Sequence, residues 1–194
     1  MAQRRHHYER AFEHYLRARR MPYVAVNEAK QTLLPTPSSR LHVEVAGERS
    51  SLKSFDFVVY GKPSNLLIDV KGRRLATRSP RSSVVKVRAA MPRLESWVTE
   101  DDISSLRIWR GLFGEGFDSA FAFVYWCERA PTGPLLRESF EFEGRWYAIR
   151  AASLDDYTSN MRVRSPRWRT VHVPAEQFAA INVPLAGDPR AGGR

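Results

Sequence analysis

A chain of 194 residues with 43% hydrophobic and 11% aromatic content can bury a core without disulfides or structural metals, which excludes stapled mini-domains and wholly disordered chains. Its one cysteine, Cys127, excludes an intramolecular disulfide and a multi-cysteine zinc site, and at the end of a hydrophobic run reads as a small buried hydrophobe. A formal charge of +10 and a pI of about 10.2 favour a polyanionic partner, nucleic acid before an anionic membrane surface; with no apolar stretch of spanning length and no signal-peptide core, a cytoplasmic protein with no membrane span is expected.

Residues 6–20 predict an amphipathic helix, with Tyr8, Ala11, Phe12, Tyr15 and Leu16 on one apolar stripe. At about 100° per residue, Glu9 borders that stripe and Glu13 turns further toward solvent. Met21-Pro22 ends the helix, because a residue before proline is biased away from the helical region. Residues 23–26 predict a first strand. Residues 31–51, with Pro35, Pro37 and several serines, predict a long loop interrupted by a short strand at 41–45. Residues 55–60 (FDFVVY) and 65–71 (NLLIDVK) predict two consecutive strands, each rich in β-branched or aromatic residues and bounded by turn formers.

From Lys71 to Arg93 there are eight basic residues and no acidic one, a run able to follow a nucleic-acid backbone or simply to solubilise a loop. Thr99 followed by Glu100, Asp101 and Asp102 predicts a capped helix start, with Ile103, Leu106, Leu112 and Phe113 as its core residues and Gly114 as its stop. Residues 120–126 (AFAFVYW) are uniformly apolar and predict a buried central strand. A hairpin follows, residues 140–142 and 146–149. Ser153 opens a short helix, and a last one begins at Pro174. Trp168 lies among Arg162, Arg164, Arg167 and Arg169, placed either to stack on a base or to sit at a strand edge among solvated arginines. Residues 1–185 read as one domain and 186–194 as a disordered basic tail.

Each of the two paired strands carries an acid where a core disfavours one. Alternation puts Asp69 and Lys71 on one face, roughly 6–7 Å apart at the backbone, with Asp56 on the neighbouring strand. Ionised groups are costly to bury unless paired or bound to a cation, and two carboxylates beside a lysine suit a divalent metal. The duller alternatives are a ladder-edge carboxylate at Asp56 and an exposed Asp69–Lys71 ion pair. For Glu9 they are an ion pair with Arg5 or a solvated face. His6, His7 and His14 lack the spacing of a helical zinc pair and read as surface residues; His42 and His172 stand alone. There is no nucleophile elbow, Walker loop or Rossmann glycine fingerprint.

Asp56 on one strand, Asp69-x-Lys71 on the next and Glu9 on the preceding helix resemble the PD-(D/E)xK nuclease superfamily, which contains the Holliday-junction resolvases. Phe55 stands where that family usually has proline. The element order over residues 6–127 is similar to the family's αβββαβ core. The resemblance implies an α/β, restriction-endonuclease-like fold: a mixed central sheet flanked by helices, with a C-terminal β-hairpin extension. It further implies Mg²⁺ (or Mn²⁺) held by Asp56, Asp69 and the Val70 carbonyl, with Glu9 in support, and Lys71 orienting or helping to deprotonate a water that hydrolyses DNA phosphodiester bonds. Arg73, Arg74, Arg78, Arg81, Lys86 and Arg88 would then meet nucleic acid, DNA ahead of RNA; a homodimer is compatible with this. The string HYERAFE at 7–13 also resembles a bacterial family named HYExAFE, which implies no activity. Two other uses stay open: a non-catalytic nucleic-acid-binding protein on the same fold, and a protein-interaction module.

Overall fold

A computed structural model describes residues 3–27, 41–45, 48–75, 94–131 and 139–185. Arg78, Arg81, Lys86, Arg88 and the tail from 186 lie outside the described residues. In chain order the elements are α1 (Gln3–Ala18), β1 (Tyr23–Ala25), β2 (Leu41–Val45), β3 (Glu48–Leu52), β4 (Phe57–Val59), β5 (Asn65–Leu75) and β6 (Val98–Thr99). Then come α2 (Glu100–Phe113), β7 (Phe117–Cys127), β8 (Ser139–Phe142), β9 (Arg145–Ser153), α3 (Leu154–Asn160), β10 (Arg162–Ser165), β11 (Thr170–His172) and α4 (Ala175–Ile181).

Six strands form a mixed central sheet in the order β1-β4-β5-β7-β9-β8. β4 pairs antiparallel with β5, and β5 pairs parallel with β7 along its full length, Asn65 opposite Phe117 to Leu75 opposite Cys127. A parallel pair needs a crossover, which α2 supplies. Alternation sorts the sheet into two cores. Phe57, Ile68, Val124 and Ile149 pack with Ala11, Phe12 and Leu16 of α1. On the opposite face, Val58, Leu67, Phe121 and Phe123 pack with Ile103 and Leu106 of α2, Tyr157 of α3 and Phe178 of α4. β7 is covered on both faces, so its run from Ser119 to Tyr125 is buried throughout. This mixed sheet flanked by helices is the α/β arrangement expected from the sequence.

Local signals act as expected at several points. Thr99 caps α2 in a full capping box with Asp102, and the Gly114 N–H closes the helix on the Arg110 carbonyl. Glu143 and Gly144, both at positive φ, turn the β8–β9 hairpin. Cys127 is buried, and burial pushes its thiol up to about 11.

Elsewhere the structure corrects the sequence. Leu112 is 64% exposed, and Phe113 is 39% exposed with its ring against Phe55, Trp109 and Phe117; Asp102 and Ser105 are buried. The loop expected over 31–51 contains a second strand, β3, whose polar sequence ERSSL gave no sign of it but which pairs with β2 throughout. The basic segment around Trp168 is the β10–β11 hairpin, joined by β6 into a small three-stranded sheet. His7, read as a surface residue, is half-buried and shares a 2.9 Å hydrogen bond between its Nδ1 and the Tyr147 hydroxyl. Burial, then Arg145, lowers its pKa. Among the described residues no helix is long and apolar enough to cross a membrane.

Candidate functional site

The β4–β5 ladder runs from Val59 opposite Leu66 to Phe57 opposite Ile68. One residue earlier the chain bends, although the Asp56 N–H still donates to the Ile68 carbonyl at 2.9 Å. Beyond that point the Asp56 carboxylate takes over from the missing strand, its Oδ2 accepting the Val70 N–H at 2.7 Å. A carboxyl is thereby fixed against the middle of β5 and largely withdrawn from water. Burial first, then the Asp69 charge, pushes it up to about 8, and Glu9 adds to the rise. The Val70 N–H and Lys71 pull the other way.

Asp69 and Lys71 project from the same face of β5, and the Lys71 Nζ lies 2.8 Å from Asp69 Oδ2. Both side chains are buried rather than exposed, with 12% and 17% of their surface accessible. Burial works to lower the lysine's pKa, but Asp69 and Asp102 outweigh it and hold the ammonium charged. Burial raises Asp69, with Lys71 opposing and Asp102 adding to the rise.

The second partner of Lys71 is Asp102, which the sequence predicts only as part of the α2 cap. Asp102 Oδ2 lies 3.1 Å from Lys71 Nζ, and its Oδ1 lies 2.9 Å from Lys53 Nζ. The same carboxylate accepts the Thr99 N–H at 2.9 Å. Burial would raise Asp102, but Lys71, Thr99 and Lys53 carry it down to about 2. The signal was present, an acid three residues after a cap, but only the docking of α2 on β5 shows that it also braces a lysine.

Glu9 is half-buried on α1, near enough for its charge to be felt at Asp56. What brings α1 this close is Gly72, next to Lys71 in β5: a Cβ there would fall inside the Tyr8 ring. Gly72→Ala should therefore cost about 1–3 kcal/mol as an overpacking change. Urea unfolding measures it, and Tyr8→Ala in the same chain should recover most of the loss. A neutral Gly72→Ala would show that α1 does not rest on this contact.

Beyond Lys71, the two described residues of the basic run are already engaged. Arg73 is largely buried, donates to the Gly72 carbonyl at 2.7 Å and to the Trp97 carbonyl, and lies 3.9 Å over the Trp97 ring. Burial lowers its pKa. Arg74 is exposed, pairs with Glu128 at 2.6 Å and lies over Trp126. The structure thus brings together Asp56, Asp69, Lys71 and, at their margin, Glu9, adds Asp102 and Lys53, and places Arg73 and Arg74 beyond them along β5. Among the described residues no three His, Cys, Asp or Glu side chains are grouped to hold a metal.

No family model matches this chain, so its likeness to the HYExAFE family rests on the string at 7–13 alone. No curated protein matches it either. Among solved structures, it is similar to Hjc, a Holliday junction resolvase from the archaeal hyperthermophile Archaeoglobus fulgidus, at 15% identity and a TM-score of 0.40, over 75% of this chain and 82% of that one.

Proposed function

We propose that this protein is a divalent-metal-dependent nuclease that hydrolyses DNA phosphodiester bonds at Asp56, Asp69 and Lys71. The observation that carries the reading is charge buried where the fold has little use for it. A well-packed apolar pair in place of a buried ion pair is commonly neutral or stabilising. Here a lysine and an acid are buried together beside a second acid whose carboxyl is pushed up to about 8.

That strain fits a cation. Burial and the Asp69 charge raise the cost of charging Asp56, burial and the Asp102 charge raise that of Asp69, and a divalent ion on their oxygens would relieve both. With two carboxylates, the Val70 carbonyl and water they offer the hard oxygen donors Mg²⁺ takes, without needing a third side chain; Glu9 would hold its water shell. When bound, the ion supplies an acidified water and a Lewis acid for a phosphoryl oxygen. Lys71 then serves as a fixed positive charge rather than a base, since its carboxylate partners keep it protonated. Two of its three donors meet Asp69 and Asp102, leaving one for a phosphate oxygen as negative charge builds. Asp102 is a positioning residue for that ammonium. The net charge of +10 supports a polyanionic substrate, and the D…DxK resemblance points to DNA.

A second reading, nucleic-acid binding without catalysis, is favoured by the alternation Asp69–Lys71–Asp102–Lys53, which a purely structural network would also satisfy. Cleavage assays separate the two. Purified protein should nick or cut DNA with Mg²⁺ or Mn²⁺, and Asp69→Ala and Lys71→Ala should abolish this while remaining folded. Equal activity in all three proteins would identify a contaminant and remove the nuclease assignment.

A further inference from the structure

The most exposed large apolar side chain among the described residues is Trp168, 70% accessible, with Val163 at 62% close behind on the same hairpin. A tryptophan is seldom left so open without a partner, since it carries more apolar area than any other side chain. Its surroundings are basic. Arg162, Arg164 and Arg167 are exposed, and the Arg167 guanidinium lies 5.4 Å over the Trp168 ring. Among the described residues the hairpin's ion pairs fall on Arg169 alone.

The tip is braced rather than loose. The Trp168 N–H donates to Ser165 Oγ at 3.4 Å and the Arg169 N–H to the Pro166 carbonyl at 3.1 Å. Arg169 sits at φ 45°, in the left-handed region. Its guanidinium pairs with Glu100 at 3.1 Å and Asp101 at 3.2 Å, and its carbonyl accepts the Glu100 N–H at 3.0 Å. Those two acids belong to the first turn of α2, whose next residue, Asp102, holds Lys71. One helical turn therefore fixes the hairpin on one side and the acidic site on the other.

A second connection runs along the sheet. Arg73, two residues beyond Lys71 on the same face of β5, lies 3.9 Å over the Trp97 ring, and Arg164 reaches the same ring at 5.1 Å. Arg164 is the extra residue of a bulge between Val163 and Ser165, a device that re-aims a side chain at a sheet edge. Between β10 and Trp97 lies a cleft of about 240 Å³ lined by Trp97, Arg164 and His172.

We propose that the β10–β11 hairpin is a base-stacking finger: Trp168 takes an unpaired nucleobase of a strand whose backbone Arg162, Arg164 and Arg167 follow toward the acidic site. This rests on the nuclease reading and narrows its substrate to nucleic acid with unpaired bases near the reacting phosphate. An amphipathic ring on a braced backbone has only two side-chain torsions to order on binding. Stacking on it is sequence-tolerant, because every base has a π-face, whereas a fully paired duplex offers Trp168 only backbone.

The test compares a labelled single-stranded oligodeoxynucleotide with the same sequence as a blunt duplex, bound to the full chain in EDTA. Trp168→Ala should bind the single strand about 5- to 150-fold more weakly, the range measured for losing one base–aromatic stack, while duplex affinity stays unchanged. Trp168→Phe, which keeps a ring, should recover part of the loss. Because Trp168 is exposed, its removal opens no core. Wild-type affinity in Trp168→Ala, or an equal loss on both oligonucleotides, would overturn the finger; wild-type cleavage of DNA in the same preparation would then leave the nuclease reading intact. A wild-type protein that binds neither oligonucleotide would overturn both and give the hairpin to a protein partner.

Discussion

Asp102→Ala should lower stability by about 3–5 kcal/mol, the cost of breaking a buried ion pair and leaving a charge without its partner. The carboxylate does three things in one place: it holds Lys71 at 3.1 Å, holds Lys53 at 2.9 Å and accepts the Thr99 N–H. Losing the cap alone accounts for about 1 kcal/mol of that. Asp102→Asn, which keeps a hydrogen-bonding oxygen without the charge, should retain the cap and lose the rest. The pH dependence follows from the lowered pKa. A carboxyl held near 2 when folded stabilises the protein above its unfolded value and loses that contribution as pH falls through about 2. The amount is roughly 2 kcal/mol. Urea unfolding at neutral pH and near pH 3 should therefore show a steeper acid loss in wild type than in Asp102→Asn. A neutral-pH loss below about 1 kcal/mol would mean the network is solvated and worth no more than a surface pair.

Asp56→Asn should have the opposite sign. The folded pKa, near 8, lies above the unfolded one, so the native state binds this proton more tightly. The contribution is fully present below about pH 4 and is lost as pH rises to about 8. Asp69 and Glu9 face the group and push it up; the Val70 N–H and Lys71 oppose them. By pH 8 the metal-free protein should have given up several kcal/mol, on the order of 1.4 per pKa unit. Asparagine keeps an acceptor for the Val70 N–H and carries no charge. In EDTA it should therefore be more stable than wild type at pH 8 and similar at about pH 4. Parallel pH profiles would show that Asp56 is ionised throughout and bears no strain.

The fold was legible where local chemistry and periodicity agree. The α1 stripe, the Thr99 capping box, the apolar β7 run and the Glu143–Gly144 turn each follow from residues close in sequence. The shared face of Asp69 and Lys71 follows from strand alternation, whereas Asp56, expected within a strand, lies in a bend just before β4. What escaped depends on contacts far apart in the chain. Leu112 and Phe113 had the right helical spacing, yet both stay exposed at the end of α2, Phe113 with one side of its ring against Phe117. Strand β3 is built from polar residues that its pairing with β2 orders. Asp102 had a sufficient local role as a cap, which hid its second role until α2 was seen against β5. Arg73 reads as one more positive charge in a basic run, yet its guanidinium is spent on Trp97.

The most direct check on the central claim, that the buried acids exist to hold a divalent cation, is thermal melting at pH 8 across a Mg²⁺ titration. Wild type should gain about 5–10 °C at a metal concentration about 100 times Kd, the shift expected from ligand binding to the native state alone. Asp56→Asn, already relieved of its charge, should melt higher without metal and gain little with it. A wild-type melting temperature that does not move with Mg²⁺ or Mn²⁺, or that moves equally in Asp56→Asn, would contradict the account and leave Asp69, Lys71 and Asp102 as a structural ion network.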